Sequence, residues 1–161
     1  MRAKELFIDK VKAEVEAAIS QAELQTSGEI RIFVEDHCKD DDVLDRAAYL
    51  FAELEIHKTD LRNGVLFYMA VKDHRFAILG DGGINAKVPD NFWDHIKDHM
   101  VAKFKEGEIP SGLKEGILMA GEALKSHFPL QDNDENELSN LISDELDQKG
   151  DANNEMKRIE K

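Results

Sequence analysis

The stretch Arg62-Asn-Gly-Val-Leu-Phe-Tyr-Met-Ala-Val-Lys-Asp-His-Arg-Phe-Ala-Ile-Leu-Gly-Asp-Gly-Gly83 decides the fold. Its first apolar run, Val65–Val71, is hydrophobic at alternate and intervening positions alike. That pattern suits a central strand covered on both faces rather than one with a wet side. Lys72-Asp73-His74 then supplies a tight polar reversal, and Arg75–Leu79 returns as an antiparallel partner. The hairpin is framed by Asn63-Gly64 in front and Gly80-Asp81-Gly82-Gly83 behind. These residue types tolerate positive φ and bond their own backbones, so turn chemistry alone accounts for them.

Upstream, Glu29-Ile-Arg-Ile-Phe-Val-Glu35 alternates as a strand does. The connector Cys38-Lys-Asp-Asp-Asp42 follows, with Asp42 placed to cap a helix in which Val43, Leu44, Ala47, Leu50, Phe51 and Leu54 share a face. Strand, helix and strand form a βαβ unit, whose crossover makes its two strands parallel neighbours. A helix near residues 5–25 precedes it, carried by Ile8, Val11, Val15, Ala18, Ile19 and Ala22, and Gly28 is its natural stop. Pro89-Asp90 opens a third helix with Phe92, Trp93, Ile96, Met100 and Phe104 inward, ended by Gly107. Pro110-Ser111 opens a fourth through Leu113, Ile117, Ala120, Leu124 and Phe128, with Gly116 and Gly121 permitting close contact. The expected fold is α/β: a three-layer α/β/α sandwich, its mixed sheet built from a βαβ unit plus an antiparallel hairpin, with helices on both faces.

A chain of 161 residues holds one such domain, expected over residues 1–128. Residues 129–161 change character to Asp, Glu, Asn and Gln without an aromatic, the composition of a largely disordered acidic tail. Within it Leu138, Leu141, Ile142 and Leu146 have the spacing of a short helix near 135–147. The formal net charge is −13; the tail has ten acidic and four basic side chains, a net of −6, which leaves −7 for the body. Charge of this sign disfavours a grip on nucleic-acid phosphates or on an anionic membrane, and makes a divalent cation the natural small partner, with a protein partner as the other expectation. The oligomeric state has no signature. Charges interrupt the apolar residues near Met1, so no export signal or membrane span is expected, and a single cysteine, Cys38, agrees with a reducing compartment. The expected location is cytoplasmic.

The topology also works as a ruler. Strand one begins at Gly28-Glu29, strand two at Asn63-Gly64, and strand three ends at Gly80-Asp81, all at one end of the sheet. Glu29, Asp60, Asn63 and Asp81 should converge there, with Ser27, Gly28, Arg62, Gly64, Gly80, Gly82 and Gly83 as the supporting loops. Carboxylates and an amide oxygen on irregular loops suit a hard cation such as Ca²⁺ or Mg²⁺. Consecutive glycines at 82 and 83 also leave backbone N–H groups open to a ligand. A rival site lies at the carboxyl end of strand one, at Glu35 and Asp36, where open α/β sheets usually hold ligands.

Several familiar motifs fail. Asp132-x-Asp134-x-Asn136 begins like an EF-hand loop, but Glu137 stands at its glycine position and Ser143 at its bidentate glutamate. Leu44 occupies positions that phosphatases built on an aspartate or a cysteine nucleophile fill differently. His95 and His99 share a helix face without a third zinc ligand, and Ser27 has no nucleophile elbow.

With Thr26-Ser-Gly-Glu-Ile-Arg-Ile-Phe-Val-Glu35, His57-Lys-Thr-Asp-Leu-Arg-Asn-Gly-Val-Leu-Phe-Tyr-Met-Ala-Val71 and Phe76-Ala-Ile-Leu-Gly-Asp-Gly-Gly-Ile-Asn-Ala-Lys-Val-Pro-Asp-Asn-Phe-Trp-Asp94 in order, the chain resembles the TPM-domain family. That family takes in thylakoid-lumen acid-phosphatase-like proteins, photosystem II repair proteins and many bacterial proteins; the likeness is to its small cytosolic bacterial branch, over about residues 5–128. The resemblance implies a helix-covered sheet and a divalent-cation cleft, commonly for calcium, at Gly28, Glu29, Asn63, Gly64, Gly80 and Asp81, whereas the Asp60 position looks variable. Three functions follow: a divalent-cation-binding domain, a metal-dependent phosphomonoesterase in which Arg62 would neutralise the substrate, and an interaction module acting through the acidic tail. No general acid for a leaving group is visible. An acidic pocket repels phosphate esters unless metal offsets its charge, which ranks binding above hydrolysis.

Overall fold

A computed structural model describes residues 2–130 and the two-residue segment Ser143–Asp144. In chain order the elements are α1 (Ala3–Leu6), α2 (Asp9–Glu23), β1 (Glu29–Glu35), α3 (Val43–Glu53), β2 (Gly64–Ala70), β3 (Arg75–Gly80), α4 (Gly82–Asn85), α5 (Asp94–Lys105), α6 (Ile109–Lys125) and β4 (Ser143–Asp144).

Strand β2 is buried at all seven positions, as its uninterrupted apolar run requires. It pairs in parallel with β1, from Glu29 opposite Gly64 to Glu35 opposite Ala70. On its other side it pairs antiparallel with β3, from Val65 opposite Gly80 to Ala70 opposite Arg75. The two residues of β4 lie parallel to β1 at Phe33 and Val34, so the order is β3-β2-β1-β4. The rest of the expected tail, with its helix near 135–147, lies outside the described residues; at 143 and 144 the backbone is extended.

Alternation along the strands divides the core into two layers. Ile30, Ile32, Val34, Val65, Phe67, Met69 and Ile78 face α1, α2, α5 and α6. Phe33, Leu66, Tyr68 and Ala77 face α3, where Ala47, Leu50 and Phe51 meet them and the Phe33 and Tyr68 rings stack at 6.4 Å. Each large side chain so buried stabilises the fold by about 1.5–3 kcal/mol. The expected α/β/α sandwich is therefore present, with the larger core on the α2/α5/α6 face.

The helices differ from expectation at their ends. The first is broken between α1 and α2 at Phe7 and Ile8, and the α1 amide of Ala3 donates to Asp36 Oδ1 (2.7 Å). The third starts at Asp94, because Pro89 to Trp93 form turns in which the Phe92 amide reaches Pro89 O. Asp42 does cap α3 through the Leu44 amide (2.8 Å), and Gly107 ends the α5 segment with φ +81°.

The glycines of the frame have a different role from the one sequence suggests. None of Gly64, Gly80, Gly82 or Gly83 has a positive φ; Arg62 (φ 53°) and His74 (φ 55°) take that conformation instead. Gly64 is required because a Cβ there would lie 2.7 Å from Ile56 O, and Gly83 because its Cβ would overlap the carbonyls of Leu61 and Arg62. Close backbone approach, not turn geometry, selects glycine at both.

Candidate functional site

The three loops expected to converge do so, and backbone hydrogen bonds hold them. The Glu29 amide donates to Asn63 O (3.3 Å), the Asp81 amide to Gly64 O (3.0 Å), and the Gly83 amide to Arg62 O (2.8 Å). Buried threonines brace the junction. The Thr26 hydroxyl donates to Phe128 O while accepting from the Gly28 amide (3.1 Å), and Thr59 Oγ1 accepts the Asn63 amide (3.1 Å).

At the centre stands Asp81, 5% exposed. Its carboxylate takes a two-pronged grip from Arg62, Nε to Oδ2 at 2.7 Å and Nη2 to Oδ1 at 2.8 Å, and Oδ1 also accepts the Gly82 amide (2.7 Å) as the cap of α4. The Arg62 side chain itself is 56% exposed. The Asp81 contact raises the Arg62 pKa above its ordinary value. Asn63 is buried and its amide nitrogen donates to Ser27 Oγ (3.3 Å). Glu29 is buried, Gly28 and Gly80 line the backbone between them, and Asp60 is exposed on the loop's rim. Glu29, Asp60 and Asp81 thus share one end of the sheet without sharing a centre: among the described residues no three His, Cys, Asp or Glu side chains form a ready ligand set.

One carboxylate at this end escaped the sequence reading. Glu23, the last residue of α2, accepts the Ile30 amide (2.8 Å), and burial, opposed by that bond but reinforced by the charge of Glu29, pushes its pKa up to about 7. The signal was an acidic residue on the final turn of a helix leading straight into a strand.

The rival end is differently built. Glu35 is fully buried and gripped by Arg46, Nε to Oε2 at 2.8 Å and Nη2 to Oε1 at 2.9 Å, while Tyr68 donates its hydroxyl to Oε2 (2.5 Å) and Lys39 stands 3.7 Å away. Burial, then Glu35, drives the Tyr68 pKa far upward, keeping the phenol neutral. Asp36 is spent on the start of α1. Both acids serve structural bonds.

A family model described as the TPM domain matches residues 2–123. Among solved structures, the chain is 42% identical to the BA42 protein from the psychrophilic bacterium Bizionia argentinensis, covering 88% of this chain and 97% of that one with a TM-score of 0.82. An N-terminal domain of a protein from P. gingivalis (18% identity, 76% and 79% coverage, TM-score 0.59) shares the fold. So does the N-terminal domain of the cg2496 protein from Corynebacterium glutamicum (11%, 80% and 81%, 0.58). A search of curated proteins returns no match.

Proposed function

This chain belongs to the TPM-domain family, and we propose from that premise that it binds a divalent cation, calcium foremost, at the junction of the Ser27–Glu29, Thr59–Gly64 and Gly80–Gly83 loops. One observation carries the reading: a buried carboxylate, Asp81, is neutralised there by a guanidinium that is itself half in water. A buried carboxylate demands a positive partner, and an exposed arginine is a partner that can leave.

The donors suit a hard ion. Asp81 would supply carboxylate oxygens and Asn63 an amide oxygen, with Glu29 and the exposed Asp60, which do not share a centre with Asp81 in the ion-free chain, drawn in as the loops tighten. Arg62 occupies both Asp81 oxygens, so cation binding is an exchange in which the guanidinium swings into solvent. When bound, the ion would supply the charge that Arg62 otherwise provides, tying the three loops more tightly. With few carboxylates and a competing arginine, the site belongs to the weak range, on the order of 10⁻⁴–10⁻³ M. A phosphomonoesterase reading would give the released Arg62 to a substrate phosphate, with Mg²⁺ or Mn²⁺ as further candidates.

Calcium titration followed by amide chemical shifts tests the proposal, with Trp93 fluorescence as a second probe because its indole lies against Gly80, 3.3 Å from where a Cβ there would stand. Shifts at residues 27–29, 60–64 and 80–83, lost in Asp81→Asn, are expected. No change at millimolar calcium overturns the reading; metal-dependent phosphomonoester turnover that Asp81→Asn abolishes would move it to the enzyme.

A further inference from the structure

At the opposite end of the sheet a cleft of about 660 Å³ opens beside the β2–β3 hairpin, between the start of α3 and the α5–α6 corner. Its wall is apolar: Met69, Val71, Phe76, Val101, Phe104 and Ile109. The Phe76 and Phe104 rings meet edge to face at 5.4 Å, and a Cβ on Gly112 would lie 2.8 Å from the Phe104 ring, so the wall is fixed by packing. Size and lining are those of a small-molecule site.

The charges around it are the unexpected part. Although the chain is acidic, no Asp or Glu among the described residues lines this cleft; its charged and titratable members there are His74, Arg75, Lys97 and Lys105. The four are not equivalent. Arg75 spends its guanidinium on the carbonyls of Asp40 (3.0 Å) and Asp41 (2.7 Å), which draws the acidic 40–42 loop to that lip. Lys97 and Lys105 are exposed on α5, two turns apart with Val101 between them, and among the described residues neither has a carboxylate within ion-pair distance. The cations with free donors therefore lie on the α5 lip, across an apolar wall from Arg75, whose donors are already taken, and the acidic 40–42 loop beyond it.

We propose that this cleft binds a free single-chain anionic amphiphile, such as a fatty carboxylate, with its head group on Lys97 and Lys105 and its alkyl chain along Phe76, Val101 and Phe104. The polarity selects this class. One anionic head satisfies one cationic lip, whereas an acidic peptide laid through the cleft would bring carboxylates against the 40–42 loop. The lysine stems are long and flexible enough to converge over Val101.

Decanoate below its micellar concentration is the probe. Titrated into the full chain, it should shift the methyl and ring resonances of Met69, Val71, Val101, Phe76 and Phe104, while acetate and decyltrimethylammonium should not. The exposed pair can be reversed without touching the core, and Lys97→Glu with Lys105→Glu should weaken decanoate about tenfold, the combined effect of two surface charges. Equal binding of the ammonium, unchanged affinity in the reversed variant, or no cleft shifts at all overturns the proposal. So does binding to phosphatidylglycerol vesicles, or to an acidic amphipathic peptide, without binding of monomeric decanoate.

Discussion

Two arginine–carboxylate forks close the two ends of this sheet, alike in geometry and unlike in setting. Arg46 grips Glu35 at 2.8 and 2.9 Å; Arg62 grips Asp81 at 2.7 and 2.8 Å. In the first, both partners are sealed, with 9% of the arginine side chain exposed and none of the glutamate. In the second only the acid is buried, and 56% of the arginine side chain is in water. Hydrogen-bond length does not distinguish a permanent clamp from an exchangeable one; the solvation of the cation does.

The largest effect should come from breaking the sealed fork. Arg46→Ala strands a buried charge on Glu35, and denaturant unfolding should show a loss of about 3–5 kcal/mol. Adding Glu35→Gln to that variant should restore part of the loss, since a neutral amide keeps the Tyr68 bond without the charge. Failure of the second change to recover anything would assign the loss to packing, including the Arg46–Tyr49 ring contact at 5.5 Å.

Most of this contrast was legible in sequence only as position. Period and turn chemistry place Glu29, Asn63 and Asp81 at one end and Glu35 at the other, and β1, β2 and β3 fall within a residue of their expected bounds, whereas β4 was not expected. What pattern could not reveal is who partners whom. Arg46 is a helix residue whose sequence neighbours give no hint that it reaches across to β1, and Arg62 reads as a loop cation until its φ of 53° and its hold on Asp81 are seen. The frame glycines were legible as glycines but not for their reason, because the carbonyls of Ile56 and Leu61 that exclude a Cβ come from another part of the chain. The hold on the start of α1 likewise comes from Asp36, 33 positions beyond Ala3, and a helical period cannot register it.

A carboxylate held by a backbone amide sharpens the comparison. Glu23 has an ordinary value of 4.5 in the unfolded chain and about 7 in the folded one. Between those values the folded state keeps a proton that the unfolded chain has released. Its contribution is therefore fully present below pH 4.5, declines as the pH rises through 7, and is flat above. At 1.36 kcal/mol per unit, and discounted for partial exposure, the loss is roughly 2–3 kcal/mol. Glu23→Gln, which keeps an acceptor for the Ile30 amide, should match the parent near pH 4.5 and exceed it by about that amount at pH 8. Parallel stability–pH curves for the two proteins would show that Glu23 is ionised without penalty.

The smallest effect on stability should carry the most information about function. Arg62→Ala removes the half-solvated guanidinium that covers Asp81, which lets water reach the carboxylate in its place and leaves it the Gly82 amide, so the loss should be about 1 kcal/mol, well below that of the sealed fork. The same deletion removes the competitor for both Asp81 oxygens. If cation binding is an exchange with Arg62, whatever the fork contributed to the ion-free state is returned to the bound one, and calcium affinity should rise by up to about fivefold, the equivalent of that 1 kcal/mol. The Asp81→Asn variant should move the opposite way, losing both the fork and the ion. A calcium affinity that is unchanged in Arg62→Ala would mean that the ion does not contend for Asp81, and the open fork would then be a surface version of the sealed one.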